Sequence, residues 1–332
     1  MTQFQRIDRP RVAVTRKLLP QIEARMAELF DCRFNSDDHE MSADEIAEAM
    51  QDADILVPTV TDRLDAELIA RAPASLKMFA NFGAGVNHID LAAAKAKGIL
   101  VTNTPGVFSE DTADLTMALI LSVPRRLGEG HRLMRSGEWK GWTPTGMLGH
   151  RIGGKTLGII GLGRIGEAVA QRARAFGLNI LYNKRHRLPA SVEEELGVMF
   201  EPDLDRLVAK SDIISLHCPL TTETDKLMSR ERIGLMKRDA YLINTSRGEL
   251  IDEDALIEDL TRGRIGGAGL DVYNHEPAVD ARFLAIPNVV LLPHLGSATF
   301  EGREASGEKV IANIRIFSDG HRPPDQVLEG WA

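Results

Sequence analysis

The stretch Lys155-Thr-Leu-Gly-Ile-Ile160, followed at once by Gly161-Leu-Gly163-Arg-Ile-Gly166, decides the architecture. A short apolar, β-branched run meets glycines at G-x-G-x-x-G spacing, and a helix-compatible segment continues through Ala175. A dinucleotide site requires this order. Gly161 permits the tight turn, Gly163 lets backbone approach a pyrophosphate, and Gly166 lets helix and strand pack closely. The helix N-terminus then offers N–H groups and a favourable dipole to the anion. Gly161, Leu162, Gly163, Arg164, Ile165 and Gly166 are therefore expected to bind a dinucleotide. Just upstream, Gly149-His-Arg-Ile-Gly-Gly154-Lys155-Thr156 fits the triphosphate-loop pattern, but it precedes a strand instead of following one and is discounted. Asn244-Thr-Ser246 matches a glycosylation sequon at the end of a strand and is discounted too.

Outward from this stretch, apolar β-branched runs alternate with helix-length segments. On the N-terminal side the runs are Val12 to Val14, Ile55 to Val57, Lys77 to Ala80 and Ile99 to Thr102. On the C-terminal side they are Leu157 to Ile160, Ile180 to Tyr182, Ile213 to Leu216, Tyr241 to Ile243, Gly269 to Asp271 and Val289 to Leu292. Residues 43–50 and 64–72 carry helical spacing, and Ser42-Ala-Asp-Glu45 reads as a capping box opening the first. Such alternation predicts α/β structure: two doubly wound parallel-sheet domains with helices on both faces. A helix is expected over about 299–319, and the Gly-, Pro- and charge-rich tail after it reads as a surface strap.

The 332 residues fit two domains, and 43% hydrophobic with 27% charged residues is globular composition. A net charge of −8 disfavours nucleic acid and anionic membranes as partners. No apolar run approaches the roughly 18 residues that would span a bilayer, and the N-terminal stretch lacks the apolar segment of a secretion signal. Cys32 and Cys218 are the only cysteines, too few for a disulfide framework or a cysteine zinc site. No metal is expected, and a reduced, cytoplasmic setting is.

The second dinucleotide strand ends at Tyr182. A carboxylate for the ribose 2′-hydroxyl belongs about 20 residues beyond the glycines. Asn183 stands there instead, followed by Lys184, Arg185, His186 and Arg187. Without the repelling carboxylate and with cations at hand, NADP(H) is the expected preference, NAD(H) the second choice. Arg185 is the first candidate for the 2′-phosphate, because its fork can take two oxygens.

Four further motifs follow in order: Leu242-Ile-Asn-Thr-Ser-Arg-Gly-Glu-Leu-Ile-Asp252, Gly269-Leu-Asp-Val-Tyr273, Glu276-Pro277, and Pro293-His-Leu-Gly-Ser-Ala298. Together with the glycine loop they resemble the D-isomer-specific 2-hydroxyacid dehydrogenases along nearly the whole chain. Within that family the chain is most similar to the glyoxylate and hydroxypyruvate reductases. The resemblance implies a Rossmann domain at 103–293, inserted in a flavodoxin-like substrate domain made of 1–102 plus 294–332.

The chemistry of each motif agrees. Arg247 follows a strand, and its guanidinium can grip the carboxylate of a 2-keto acid bidentately. His294 suits protonation of the alkoxide that hydride transfer leaves, and Glu276 suits orienting and supporting its charged ring. Formate dehydrogenases, which resemble this family, carry glutamine where Glu276 stands, so a hydroxy acid is the expected substrate. The resemblance also implies that backbone N–H groups at Ala84 and Gly85, in Phe82-Gly-Ala-Gly-Val-Asn-His-Ile-Asp90, meet the substrate carboxylate. Thr112, Cys218, Pro219, Thr224, Thr245, Ser246, Asp271 and Gly296 join the implied cofactor set. Trp142, in Gly137-Glu-Trp-Lys-Gly-Trp-Thr-Pro144, is implied to reach the substrate pocket of a partner subunit in a homodimer, packing within its own chain being the alternative. The apolar stretch Leu115 to Val123 would make a buried helix and a dimer core. The implied activity is NAD(P)H-dependent reduction of a small 2-keto acid, glyoxylate to glycolate or hydroxypyruvate to D-glycerate. Two readings stand beside it: a nicotinamide-sensing protein-binding module like the C-terminal-binding corepressors, and phosphoglycerate dehydrogenase. The first generally carries disordered tails and many forms of the second carry a regulatory domain; neither is expected here.

Overall fold

The computed structural model describes residues 6–328; Met1–Gln5 of the N-terminal stretch and Glu329–Ala332 of the tail lie outside the described residues. The chain divides into two units, one built from Met1–Phe108 with Ala298–Ala332, the other from Ser109–Ser297. The divisions fall a few residues beyond 102/103 and 293/294, because the helix Ser109–Ser122 opens the second unit.

In the first unit, β1 (Arg11–Val14), β2 (Asp31–Phe34), β3 (Ile55–Val57), β4 (Met78–Ala80) and β5 (Leu100–Thr102) form a parallel sheet in the order β2-β1-β3-β4-β5. This is the flavodoxin-like order. Ser42 caps the helix Ala43–Gln51 by accepting from the Glu45 N–H, and Glu45 answers at the Ser42 N–H. The helix Phe300–Ser318 returns to this unit and packs Val310, Ile311, Ile314 and Phe317 with Val12, Ile22 and Met26. The tail runs along β5, where Gln326 bridges to Thr102 and the Val327 N–H donates to the Val101 carbonyl at 2.8 Å.

In the second unit, β6 (Thr156–Ile160), β7 (Asn179–Asn183), β8 (Val198–Phe200), β9 (Ile213–Leu216), β10 (Tyr241–Asn244), β11 (Gly267–Leu270) and β12 (Val289–Leu291) form a parallel sheet. Its order is β12-β11-β10-β9-β6-β7-β8, so the strand order reverses between β6 and β9, at the end of the glycine loop's own strand. Rossmann folds bind their ligands at that reversal. Apolar clusters lie on both faces of the sheet.

Two strands escape the sequence pattern. β2 (Asp-Cys-Arg-Phe) and β8 (Val-Met-Phe) are edge strands, and β2 is nowhere fully buried. Edge positions relax the demand for a continuous apolar run. β11 starts earlier than the apolar run suggests, at Gly267, because its glycines hide its strand character. The stretch Leu115 to Val123 is helical, as expected through Ser122, but Met117, Leu119, Ile120 and Val123 are buried in the core of their own unit. That core accounts for the buried part of the stretch, while Leu115, Ala118 and Leu121 stay partly or fully exposed. No helix among the described residues is long and apolar enough to cross a membrane.

Candidate active site

The glycine loop follows β6 and opens the helix Arg164–Ala175. Gly161 has φ +93°, and a Cβ there would stand 2.5 Å from the Cys218 nitrogen. A Cβ at Gly166 would stand 2.6 Å from the Gly161 carbonyl oxygen, whereas one at Gly163 would meet open space. The three glycines thus divide as turn, open approach and close packing. Gly149–Thr156 leads into β6, so the triphosphate-loop likeness has no helix to serve, and Asn244 of the sequon is wholly buried.

At the end of β7 the basic run separates into distinct roles. Asn183 donates from Nδ2 to the carbonyls of Glu201 at 2.9 Å and Pro202 at 3.1 Å. Lys184 Nζ donates to the Leu162 carbonyl at 2.8 Å and so braces the glycine loop. Arg187 is already neutralised. It pairs with Glu193 at 2.7 Å and lies over the Phe200 ring. The Tyr182 hydroxyl donates to the same carboxylate at 2.6 Å. Arg187 first and Tyr182 second hold the Glu193 carboxyl down at about 2. Arg185 is exposed and makes no ion pair among the described residues. Further along, burial pushes the Cys218 thiol up to about 11, and the Thr224 hydroxyl donates to the Pro219 carbonyl at 2.7 Å. His217, unnoticed in the sequence, lies 2.8 Å from the Ser215 hydroxyl, and burial pushes its ring down to about 4.

Arg247 follows β10. Its loop is tied by Asn244, whose Nδ2 donates to the Arg247 carbonyl at 2.7 Å and whose Oδ1 accepts from the Ser246 N–H at 3.0 Å. The Ser246 hydroxyl donates to the Leu216 carbonyl at 2.7 Å, and the Thr245 and Thr116 hydroxyls meet at 2.9 Å. Burial pushes the guanidinium below its ordinary value, against the opposing pull of Glu249 and Glu276.

His294 and Glu276 meet, Nδ1 to Oε2, at 2.7 Å. The second carboxylate oxygen of Glu276 accepts from the Tyr273 N–H at 3.0 Å. Burial pushes the Glu276 carboxyl up, but His294, the Tyr273 N–H and Arg247 outweigh it, so the net direction is down. The Tyr273 hydroxyl donates to the carbonyls of Leu292 at 2.8 Å and Leu270 at 3.1 Å. His294 has φ +54°, in the left-handed region costly for a residue with a Cβ. Asp271 supports that turn. Its carbonyl accepts from the His294 N–H at 2.9 Å, and its carboxylate oxygens accept from Leu295 at 2.7 Å and Gly296 at 2.8 Å. The Thr112 hydroxyl donates to the Gly296 carbonyl at 2.9 Å. The structure therefore brings Asp271, Thr112 and Gly296 together around the histidine turn.

In the first unit, the loop after β4 is fixed through its carbonyls. Asn81 Nδ2 donates to those of Gly83 and Gly85, each at 3.0 Å, and Asn103 Nδ2 to that of Ala84 at 2.7 Å. The N–H groups of Ala84 and Gly85 donate to nothing among the described residues. Asn81 and Asn103 carry no sequence signal, since single asparagines beside glycines are common in turns. Trp139 and Trp142 are 53% and 81% exposed, so Trp142 has little cover within its own chain.

Residues 117–296 match the family model described as D-isomer specific 2-hydroxyacid dehydrogenase, NAD binding domain. The chain is 43% identical to a glyoxylate reductase of Thermococcus onnurineus, covering 96% of each sequence. A D-isomer-specific 2-hydroxyacid dehydrogenase structure from Polaromonas aligns with TM-score 0.91 at 40% identity, covering 96% of this chain and 100% of the other. An NADPH-dependent glyoxylate/hydroxypyruvate reductase of Sinorhizobium meliloti, in complex with NADP and malonate, aligns with TM-score 0.86 at 34% identity over 97% of each chain.

Proposed function

The chain belongs to the D-isomer-specific 2-hydroxyacid dehydrogenase family, oxidoreductases that use a pyridine nucleotide, and from that membership we propose that it reduces glyoxylate to glycolate and hydroxypyruvate to D-glycerate, preferring NADPH. The observation that carries the reading is the 2.7 Å pairing of His294 with Glu276, in the same unit as Arg247.

Arg247 binds the substrate carboxylate through its planar fork, and the amides of Ala84 and Gly85 are further donors to that group. With Nδ1 of His294 engaged by Glu276, Nε2 is the nitrogen that delivers a proton to the substrate oxygen. Glu276 fixes the ring's orientation and supports its positive charge. Asp271 holds the backbone of the histidine turn. When bound, the reduced nicotinamide supplies the hydride. The glycine loop suits the pyrophosphate, with Gly163 open to close approach. Asn183 spends its Nδ2 on two carbonyls but carries no charge to repel a 2′-phosphate, and Arg185, exposed and outside any ion pair among the described residues, is the cation that would meet it. Trp142 is proposed to act across a homodimer, where its exposed ring would find cover.

The test is kcat/KM for a panel of 2-keto acids with each reduced nucleotide, on the parent protein and on His294→Ala. Parent turnover of glyoxylate and hydroxypyruvate is expected. In the variant, kcat falls by about 10²- to 10⁴-fold while nucleotide affinity stays near the parent's. A variant that retains parent kcat rejects the acid–base assignment.

A further inference from the structure

Arg303 carries a charge that the rest of its unit leaves unanswered. It stands near the start of the helix Phe300–Ser318, whose first turn is capped by the Thr299 hydroxyl accepting from the Gly302 N–H. The guanidinium lies between two rings, its Cζ 6.0 Å from the centroid of Phe82 and 5.8 Å from that of Phe108. Both phenylalanines are buried. The other cations of the same helix have carboxylates: Lys309 pairs with Asp325 at 3.0 Å and Arg315 with Asp319 at 3.3 Å. Among the described residues Arg303 has no hydrogen-bond acceptor and no counter-ion. Burial accordingly pushes its guanidinium below its ordinary value.

Aromatic faces attract a cation, but they leave its five N–H donors unused. The guanidinium is partly buried, so an oxygen acceptor that reaches it supplies hydrogen bonds that the protein does not. Phe82, one of its two rings, immediately precedes Gly83-Ala84-Gly85, where two backbone amides are also without acceptors. One side of the first unit thus presents two unfilled donor sets, joined through Phe82: the loop amides and the Arg303 fork.

We propose that Arg303 binds the oxygen substituent on C3 of a three-carbon 2-keto acid, and so selects hydroxypyruvate over pyruvate. The inference rests on the keto-acid reading above and adds the specificity group that the reading lacks. Hydroxypyruvate and pyruvate differ only in that oxygen. A site built to hydrogen-bond a substrate hydroxyl discriminates strongly against the analogue without it, because its own donors are then left unpaired.

The experiment compares kcat/KM for hydroxypyruvate and pyruvate in the parent, in Arg303→Met and in Arg303→Lys. Methionine keeps an unbranched stem between the rings and removes every donor; lysine keeps the charge but loses the fork. The hydroxypyruvate-to-pyruvate ratio should fall about 10- to 100-fold in Arg303→Met, with Arg303→Lys between the two. Should Arg303→Met fail to fold, the lysine variant alone decides by the same ratio. A ratio within about 3-fold of the parent's in every folded variant overturns the proposal. A parent inert toward glyoxylate and hydroxypyruvate alike defeats the keto-acid reading, and Arg303's assignment with it. An active parent with an unmoved ratio defeats Arg303 alone.

Discussion

Tyr273 joins the two halves of the proposed acid–base pair, Glu276 and His294. Its N–H holds Glu276, and its hydroxyl holds the carbonyl of Leu292, two residues before His294. Tyr273→Phe removes only the hydroxyl and leaves the half-buried Leu292 carbonyl without that donor, while the Leu270 carbonyl keeps the Leu292 N–H. Stability should fall by about 1–3 kcal/mol in denaturant unfolding. kcat for keto-acid reduction should fall as well, with nucleotide Kd unchanged; unchanged kcat would show that the hydroxyl serves stability alone. Glu276→Gln separates charge from position. In the proposed reduction the ring gives up a proton, and the carboxylate orients it and supports its charge. Without the carboxylate, kcat should fall by about 10- to 100-fold while nucleotide Kd stays near the parent's, and an unchanged kcat would remove Glu276 from the proton step. In the parent, the Glu276 carboxyl is held below its usual range, so its charge persists as pH drops and is lost only as pH falls through that lowered value. Arg247, Glu276 and His294 were legible in the sequence because each chemical group sits in a motif after an apolar strand. The supports were not. Tyr273 and Asp271 act through backbone groups brought close only by folding, and Asn81 acts on carbonyls that any turn contains.

At the scale of elements, the segment after β7 shows how folding sorts a charge run. Four basic or titratable residues in succession read as one cationic patch, yet Lys184 braces the glycine loop and Arg187 is bound by Glu193. The acid that claims Arg187 arrives from the next helix, Ala190–Leu196, whose position no local pattern reveals. Arg185 is the cation proposed for a 2′-phosphate. Asn183→Asp combined with Arg185→Ala should shift the NADPH-to-NADH ratio of kcat/KM toward NADH by roughly 5- to 150-fold, and reduce the salt sensitivity of NADPH use. Equal use of the two nucleotides by the unmodified protein would reject the preference. The inner strands were legible for the converse reason: buried on both faces, they must be apolar throughout, whereas the edge strands β2 and β8 need not be.

For the whole molecule, the proposed second copy would cover the exposed indoles of Trp139 and Trp142. Sedimentation should give a dimer, and Trp142→Ala should change keto-acid selectivity more than nucleotide affinity. A fully active monomer would defeat this arrangement. The split composition of the first unit has a consequence for synthesis. The ribosome emits β1 to β5 first, then the whole of Ser109–Ser297, and only afterwards the helix Phe300–Ser318. Val310, Ile311, Ile314 and Phe317 complete the cluster around Val12 and Ile22, so the first sheet to be translated is the last to be covered on that face. The nucleotide-binding unit has all its strands while its elder neighbour still exposes Val12, Val14 and Met78. During synthesis the half-covered first sheet is therefore the segment that a nascent-chain chaperone would have to shield.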